Sequence, residues 1–313
     1  MDFQAGLRRR LWAATISAGT LVTLAACAPP IGQGAAAQVP LAYFAPVNPP
    51  TAPLPSAPTP PSPIVMRVPP TDAPMEAPIV DTGEPEVIGT SVAGRNLEVF
   101  RFGSGERELL IVAGIHGGYE WNTIALADEL IVWLKNSPER IPPEVSLYIL
   151  RSLNPDGDAR SHGYDARANE NGVDLNRNWP VSWHSDWDRS YCWQYLPITA
   201  GPHPVSEPET AAAMKFILAH DFDGLISYHS AALGIFPGGT PPDTASQLLA
   251  ESVAAVSAYR YPGLDYGCEY TGMFADWAAS QGIPAVDVEL STHESLDFDI
   301  NLRVLEMFLR WRP

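Results

Sequence analysis

Five short apolar, β-branched runs punctuate the second two-thirds of the chain, at 97–102, 109–113, 145–150, 225–228 and 285–288. Each has the length of a strand. Around them, apolar residues recur with a helical period at about 120–135, 206–220, 243–258, 272–281 and 296–311. The pattern at 206 carries a start signal. Ser206 with Glu209 reads as a capping box, and Pro208 falls in the first turn, where its missing N–H costs little. Strands alternating with helices predict an α/β sheet with helices on both faces. Ligands of such sheets bind at the carboxyl ends of strands. His116, Asn154, His229 and Glu289 each stand at, or just past, the end of an apolar run.

The first 82 residues follow another pattern. Residues 1–26 read as an export signal: Arg8, Arg9 and Arg10, an apolar segment from 11 to 24, then small residues. The segment ends Leu24-Ala25-Ala26-Cys27, which resembles a bacterial lipobox, so Cys27 is the expected lipidation site. Acyl chains there would hold the protein on a membrane. Residues 27–82 contain sixteen of the 32 prolines and almost no charge. Such a segment cannot build a core and is expected to be a disordered, Pro-rich tether. At roughly 3 Å per residue it would reach on the order of 100–150 Å. Residues 83–313 suit one catalytic domain with a sizeable core.

Charge narrows the partners. The net charge of -17 argues against nucleic acid and against electrostatic adhesion to anionic lipid. The chain has no basic patch, no phosphate-binding glycine loop and no internal repeat.

The candidate chemistry begins in the run from Asn154 to Pro180, which gathers Arg167, Asn176 and Arg177 among glycines and short polar residues. Fixed cations and amides close together suit an anion such as a carboxylate. His116, Glu120 and His229 offer two imidazoles and a carboxylate, the donor set of a catalytic zinc with one open position. Glu289 is a carboxylate in an apolar strand, costly unless it has a partner or a role. Asp287, on the same face, and Glu294 are its rivals.

The segments GIHGGYE (114–120), NPDG (154–157), GVDLNRNWP (172–180), SEPET (206–210), ISYHS (226–230), TGMFADWAASQGIP (271–284) and VELS (288–291) occur in one order. In that order the chain resembles the zinc carboxypeptidases of the carboxypeptidase A type, in particular the small bacterial branch that includes murein-peptide amidases. The resemblance covers about residues 85 to 313. It implies a doubly wound mixed sheet and one Zn2+ per chain, held by His116, Glu120 and His229. The family's usual pattern is His-x-x-Glu, one residue shorter than His116–Glu120. Both spacings place two side chains on one face of a helical turn.

By the same resemblance, Asp174 orients a ligand histidine, His116, and Glu289 is the general base. Arg167, with Arg160 as its rival, stabilises the oxyanion. Asn176 and Arg177 bind the substrate's terminal carboxylate. The family's mobile tyrosine aligns with Cys268; Tyr266 and Tyr270 flank it, and Tyr270 is taken as the substrate-binding candidate. Ala275 falls where side-chain preference is set, and a small apolar residue there does not predict a basic substrate. Cys192 and Cys268 fall in loops that the family places near the active site. They can form a disulfide or remain two thiols. His162, His184, His203, His220 and His293 read as loop or surface residues.

The expected protein is a monomeric, extracytoplasmic, membrane-anchored bacterial lipoprotein. It would be a zinc metallocarboxypeptidase acting on a peptide or murein stem-peptide substrate. An N-acyl amino acid deacylase and a catalytically inert wall-binding lipoprotein are the alternatives.

Overall fold

All five apolar runs form strands. The computed structural model describes residues 84–187 and 196–313. The export signal, the tether, Cys27 and Cys192 lie outside the described residues. Seven strands build one mixed sheet: β1 (Glu86–Thr90), β2 (Asn96–Phe102), β3 (Arg107–Val112), β4 (Val145–Leu150), β5 (Phe222–Ser230), β6 (Ile235–Pro237) and β7 (Ala285–Leu290). Their order is β1-β2-β4-β3-β5-β7-β6. The four central strands, β4, β3, β5 and β7, are parallel, and β1, β2 and β6 join antiparallel. β4 and β7 are buried along their whole length, as parallel strands covered on both faces should be.

Helices cover both faces. α1 (Trp121–Asn136), α4 (Thr244–Val256) and α6 (Phe298–Phe308) pack Leu130, Leu249 and Phe308 onto Ile111, Ile149 and Val288. α3 (Pro208–Leu218) and α5 (Phe274–Ser280) press Ile217 and Phe274 onto Leu110, Val112 and Leu225 of the opposite face. The sheet is therefore doubly wound, as expected.

Three local features differ from the sequence reading. β1 and β6 lie at the sheet edges, and their few apolar residues left no periodic signal. The NPDG segment opens a short helix, α2 (Pro155–Arg160), capped by Asn154, whose Oδ1 accepts from Gly157 N at 2.9 Å. The capping box at Ser206 does not form. α3 starts at Pro208 with Glu207 as its N-cap. Ser206 Oγ donates to Glu207 Oε1 at 2.6 Å, and Glu209 turns inward to accept from Val92 N and Asn169 Nδ2. A long-range contact to a buried backbone N–H outweighs a local cap.

Candidate metal centre and substrate cleft

His116 follows the carboxyl end of β3, and His229 is the penultimate residue of β5. Glu120 closes a single 3-10 turn, Gly118–Glu120, at the entrance to α1. Gly118 has φ +67°, and a Cβ there would lie 2.3 Å from Gly163 O, so only glycine fits. This turn absorbs the extra residue between His116 and Glu120. Glu120 Oε1 comes 2.9 Å from His116 Nδ1, and Oε2 comes 3.3 Å from His229 Nδ1. One ligand atom from each of the three buried residues lies within 4.8 Å of the others.

The donor set fits a tetrahedral zinc, because two imidazoles and one carboxylate leave a fourth position free. The far side of each ring fits as well. Asp174 Oδ1 lies 3.0 Å from His116 Nε2. Ser227 Oγ and Asp287 Oδ1 lie 3.2 and 3.6 Å from His229 Nε2. Asp287 Oδ1 is buried and has no hydrogen-bond partner among the described residues, so the His229 imidazole is the polar group it faces. Such outer contacts fix the ring so that Nδ1 faces the metal position. Burial would push the Glu120 carboxyl up, but His116 and His229 hold it well below the usual carboxylate range. Burial acts the same way on Asp174, where Arg167 and His116 outweigh it.

The trio opens onto a cavity of about 730 Å³ that is also lined by Arg167, Asn176, Arg177, Tyr270 and Glu289. Arg167 donates from Nε to Asp174 Oδ2 and from Nη1 to Glu120 Oε1, both at 3.0 Å. Arg160 is used elsewhere. It donates to the carbonyls of Asp165, Ala168 and Asn169 and to Glu170. Asn176 Oδ1 accepts from Phe274 N at 2.8 Å, which turns its NH2 away from that contact. Arg177 is buried, its Nη1 donates to Asn176 O at 2.7 Å, its Nε has no partner among the described residues, and its guanidinium lies over the rings of Trp187 and Tyr270. A buried guanidinium that lines a cavity is a candidate anion site.

Glu289 also faces this cavity. Its Oε2 accepts from Ala232 N at 2.8 Å, and burial pushes its carboxyl up to about 7. Glu294 is exposed, and Asp287 stands behind His229. Tyr270 lies over Arg177, whereas Tyr266 donates to Ala232 O. Cys268, between them, lines the cavity and is disulfide-bonded, so it is not a free thiol.

A family model described as zinc carboxypeptidase matches residues 81–308. The chain belongs to the zinc carboxypeptidase family. Carboxypeptidase A5 of Macaca fascicularis is 32% identical, over 63% of this chain and 52% of that protein. The chain thus spans about half the length of that relative. Murein peptide amidase A of Escherichia coli (strain K12) is 28% identical, over 73% of this chain and 90% of that protein. The solved murein-tripeptide amidase from Escherichia coli O157 shares the fold at a TM-score of 0.51 and 25% identity, over 74% of this chain and 93% of that one. Bovine thrombin-activatable fibrinolysis inhibitor, solved with a tick carboxypeptidase inhibitor, shares the fold at a TM-score of 0.59 and 19% identity, over 72% and 89%.

On this zinc carboxypeptidase scaffold, the cleft contains residues that sequence reasoning did not assign. Asp287 carries a contact to His229 rather than competing with Glu289; its place two residues from Glu289 on one strand face was the available signal. Tyr119, next to Glu120, accepts from Arg167 Nη1 at 2.9 Å. His293, read as a loop or surface histidine, is half-buried and lines the cavity. Nothing local to His293 marks it.

Proposed function

We propose that this chain is a zinc metallocarboxypeptidase that cuts an amide bond next to a free carboxylate, acting on murein stem peptides at the γ-D-glutamyl–diaminopimelate bond. The observation that carries the reading is one cavity shared by a His/Glu/His metal group, a buried carboxylate and a buried guanidinium. A peptide's terminal carboxylate would bind Arg177 and the Asn176 amide. Its scissile carbonyl would then lie beside the trio, within the field of Arg167. When bound, zinc supplies Lewis acidity and lowers the pKa of water. Glu289, with its carboxyl near neutrality, takes the proton of the attacking water and returns it to the leaving amine. Arg167 opposes the negative charge that grows on the carbonyl oxygen.

The murein substrate is favoured over other peptides because the match to murein peptide amidase A runs along 90% of that protein. Lipid on Cys27 and a tether through residue 82 would keep the monomeric domain within reach of the wall. The extra residue before Glu120 is the one feature that favours the inert alternative, and Glu120 still lies 2.9 Å from His116. Zinc titration and release of diaminopimelate from L-Ala-γ-D-Glu-meso-diaminopimelate test the reading. About one zinc per chain with diaminopimelate release is expected. Zinc binding with release of amino acids only from ordinary peptides would leave a general carboxypeptidase. Turnover of N-acyl amino acids alone would leave a deacylase. No zinc in the folded domain would sink every enzymatic version.

A further inference from the structure

One hydrogen-bond chain indicates which nitrogen carries the proton in a neutral ring of the cleft. Asn122 Nδ2 donates to Thr292 O and Ser295 O, both at 2.8 Å, so the orientation of its amide is set. Its Oδ1 accepts from Ser230 Oγ at 2.8 Å. That bond uses the only proton of the Ser230 hydroxyl. The 3.1 Å contact between Ser230 Oγ and His293 Nδ1 must then run the other way, with His293 donating. In the neutral ring, Nε2 is left as a bare acceptor. It has no hydrogen-bond partner among the described residues, and the ring lines the cavity. Tyr119 packs edge-on against it at 4.6 Å, holding its plane.

The position of the ring indicates which part of a substrate it meets. Ser230, which anchors His293, gives its N–H to Glu120 Oε2 at 3.2 Å. Tyr119, which packs on the ring, bonds Arg167. His293 therefore borders the Glu120–Arg167 side of the trio. The carboxylate clamp adjoins Asp174, which accepts from Asn176 N and from Arg167 and meets His116, and Arg177 lies against Met273 and Tyr270. Arg177, Asn176, the trio and His293 line one cavity, so a substrate held by its terminal carboxylate with its scissile carbonyl at the trio would have His293 within the same cleft.

We propose that His293 is a specificity-determining residue of the acyl side, whose Nε2 accepts a hydrogen bond from a peptide N–H upstream of the scissile bond. The assignment rests on the carboxyl-end reading above, since the clamp sets the direction of the chain. It gives the cleft a means of preferring a peptide over an acyl group that lacks an upstream N–H.

The test is a binding cycle on the zinc-loaded protein carrying Glu289→Gln, so that nothing is turned over. One probe is L-Ala-γ-D-Glu-meso-diaminopimelate. The other is its analogue with an ester oxygen in place of the Ala–Glu amide N–H. Calorimetry compares both on His293 and on His293→Phe, which keeps the ring packing and removes the acceptor. About a 5- to 10-fold preference for the amide is expected with His293, falling to about one with Phe. An equal ratio in both proteins overturns the role of His293. Failure of both peptides to bind overturns it together with the functional reading. Binding without diaminopimelate release by the Glu289 protein sinks only the hydrolase reading and leaves the ratio readable.

Discussion

His229 and Glu289 stand directly opposite each other on the neighbouring parallel strands β5 and β7. Side chains alternate along a strand, so Ser227 and Asp287, two residues back and themselves paired, share that face. One register places a metal-ligand candidate beside a general-base candidate, with two polar groups behind the imidazole.

The contact from Asp287 to His229 therefore has a cost when removed. Asp287→Ala should weaken zinc binding about 10- to 100-fold while leaving the fold intact. Glu120→Ala, which removes a ligand atom, should weaken it further. Competition titration with a chelator measures both. Unchanged affinity in Asp287→Ala would mean that Ser227 alone orients the ring.

Glu289→Gln should retain zinc and lose activity by about 10²- to 10⁴-fold, the usual contribution of a positioned base. Metal analysis beside initial rates checks the pair. Loss of zinc along with activity would point to a ligand role instead.

The same carboxyl gives the zinc-free protein a pH dependence. Its folded pKa of about 7 lies above the unfolded value near 4.3. The folded state therefore binds the proton more tightly. The resulting stability is fully present below the unfolded pKa and is lost as pH rises through about 7. Melting temperature without zinc should fall between pH 5 and 8, and Glu289→Gln should flatten part of that fall.

Arg177→Lys should raise KM and lower kcat/KM about 10- to 100-fold, because an ammonium cannot reproduce a planar, stacked guanidinium. A peptide amidated at its carboxyl end should be bound no better by Arg177 than by Lys. Kinetics on the free and amidated peptides separate loss of the clamp from general damage.

Asp156 anchors the turn between β1 and β2. It accepts from Ser91 Oγ at 2.6 Å, from Ala93 N at 3.0 Å and from Arg95 Nη1 at 2.8 Å. Burial alone would raise its pKa, but these donors outweigh burial and lower it. Its contribution is present above the unfolded pKa of about 3.9 and disappears as pH falls through the lower folded value. Asp156→Asn should cost about 1–3 kcal/mol at pH 7, with a smaller deficit in acid. Urea melts at pH 7 and pH 3 measure the difference.

Much of this was legible along the chain. The buried parallel strands are continuous apolar runs because helices cover both of their faces, and the long helices show their buried stripe. β1 and β6 were not legible, since an edge strand needs few apolar residues. Ser206 and Glu209 gave a capping-box signal that did not form, because Glu209 accepts instead from the distant Val92 N. His116, His229 and Glu289 could be singled out because each is a polar residue at or just past the end of an apolar run, and Glu120 because of its spacing from His116 and the family resemblance.

The sequence by itself determined the fold class, the strand ends that bear polar groups and the membership of the chain in a zinc carboxypeptidase pattern. The first two depend on periodicity and on neighbours a few residues apart; the third rests on the resemblance of an ordered set of motifs. Only the tertiary structure decided that Arg167 rather than Arg160 faces the trio, that Asp287 backs His229, that Cys268 is not a free thiol and that His293 enters the cleft with a bare nitrogen. Each of those depends on the distance between atoms far apart in the chain, which the sheet register and the packing of loops over it set.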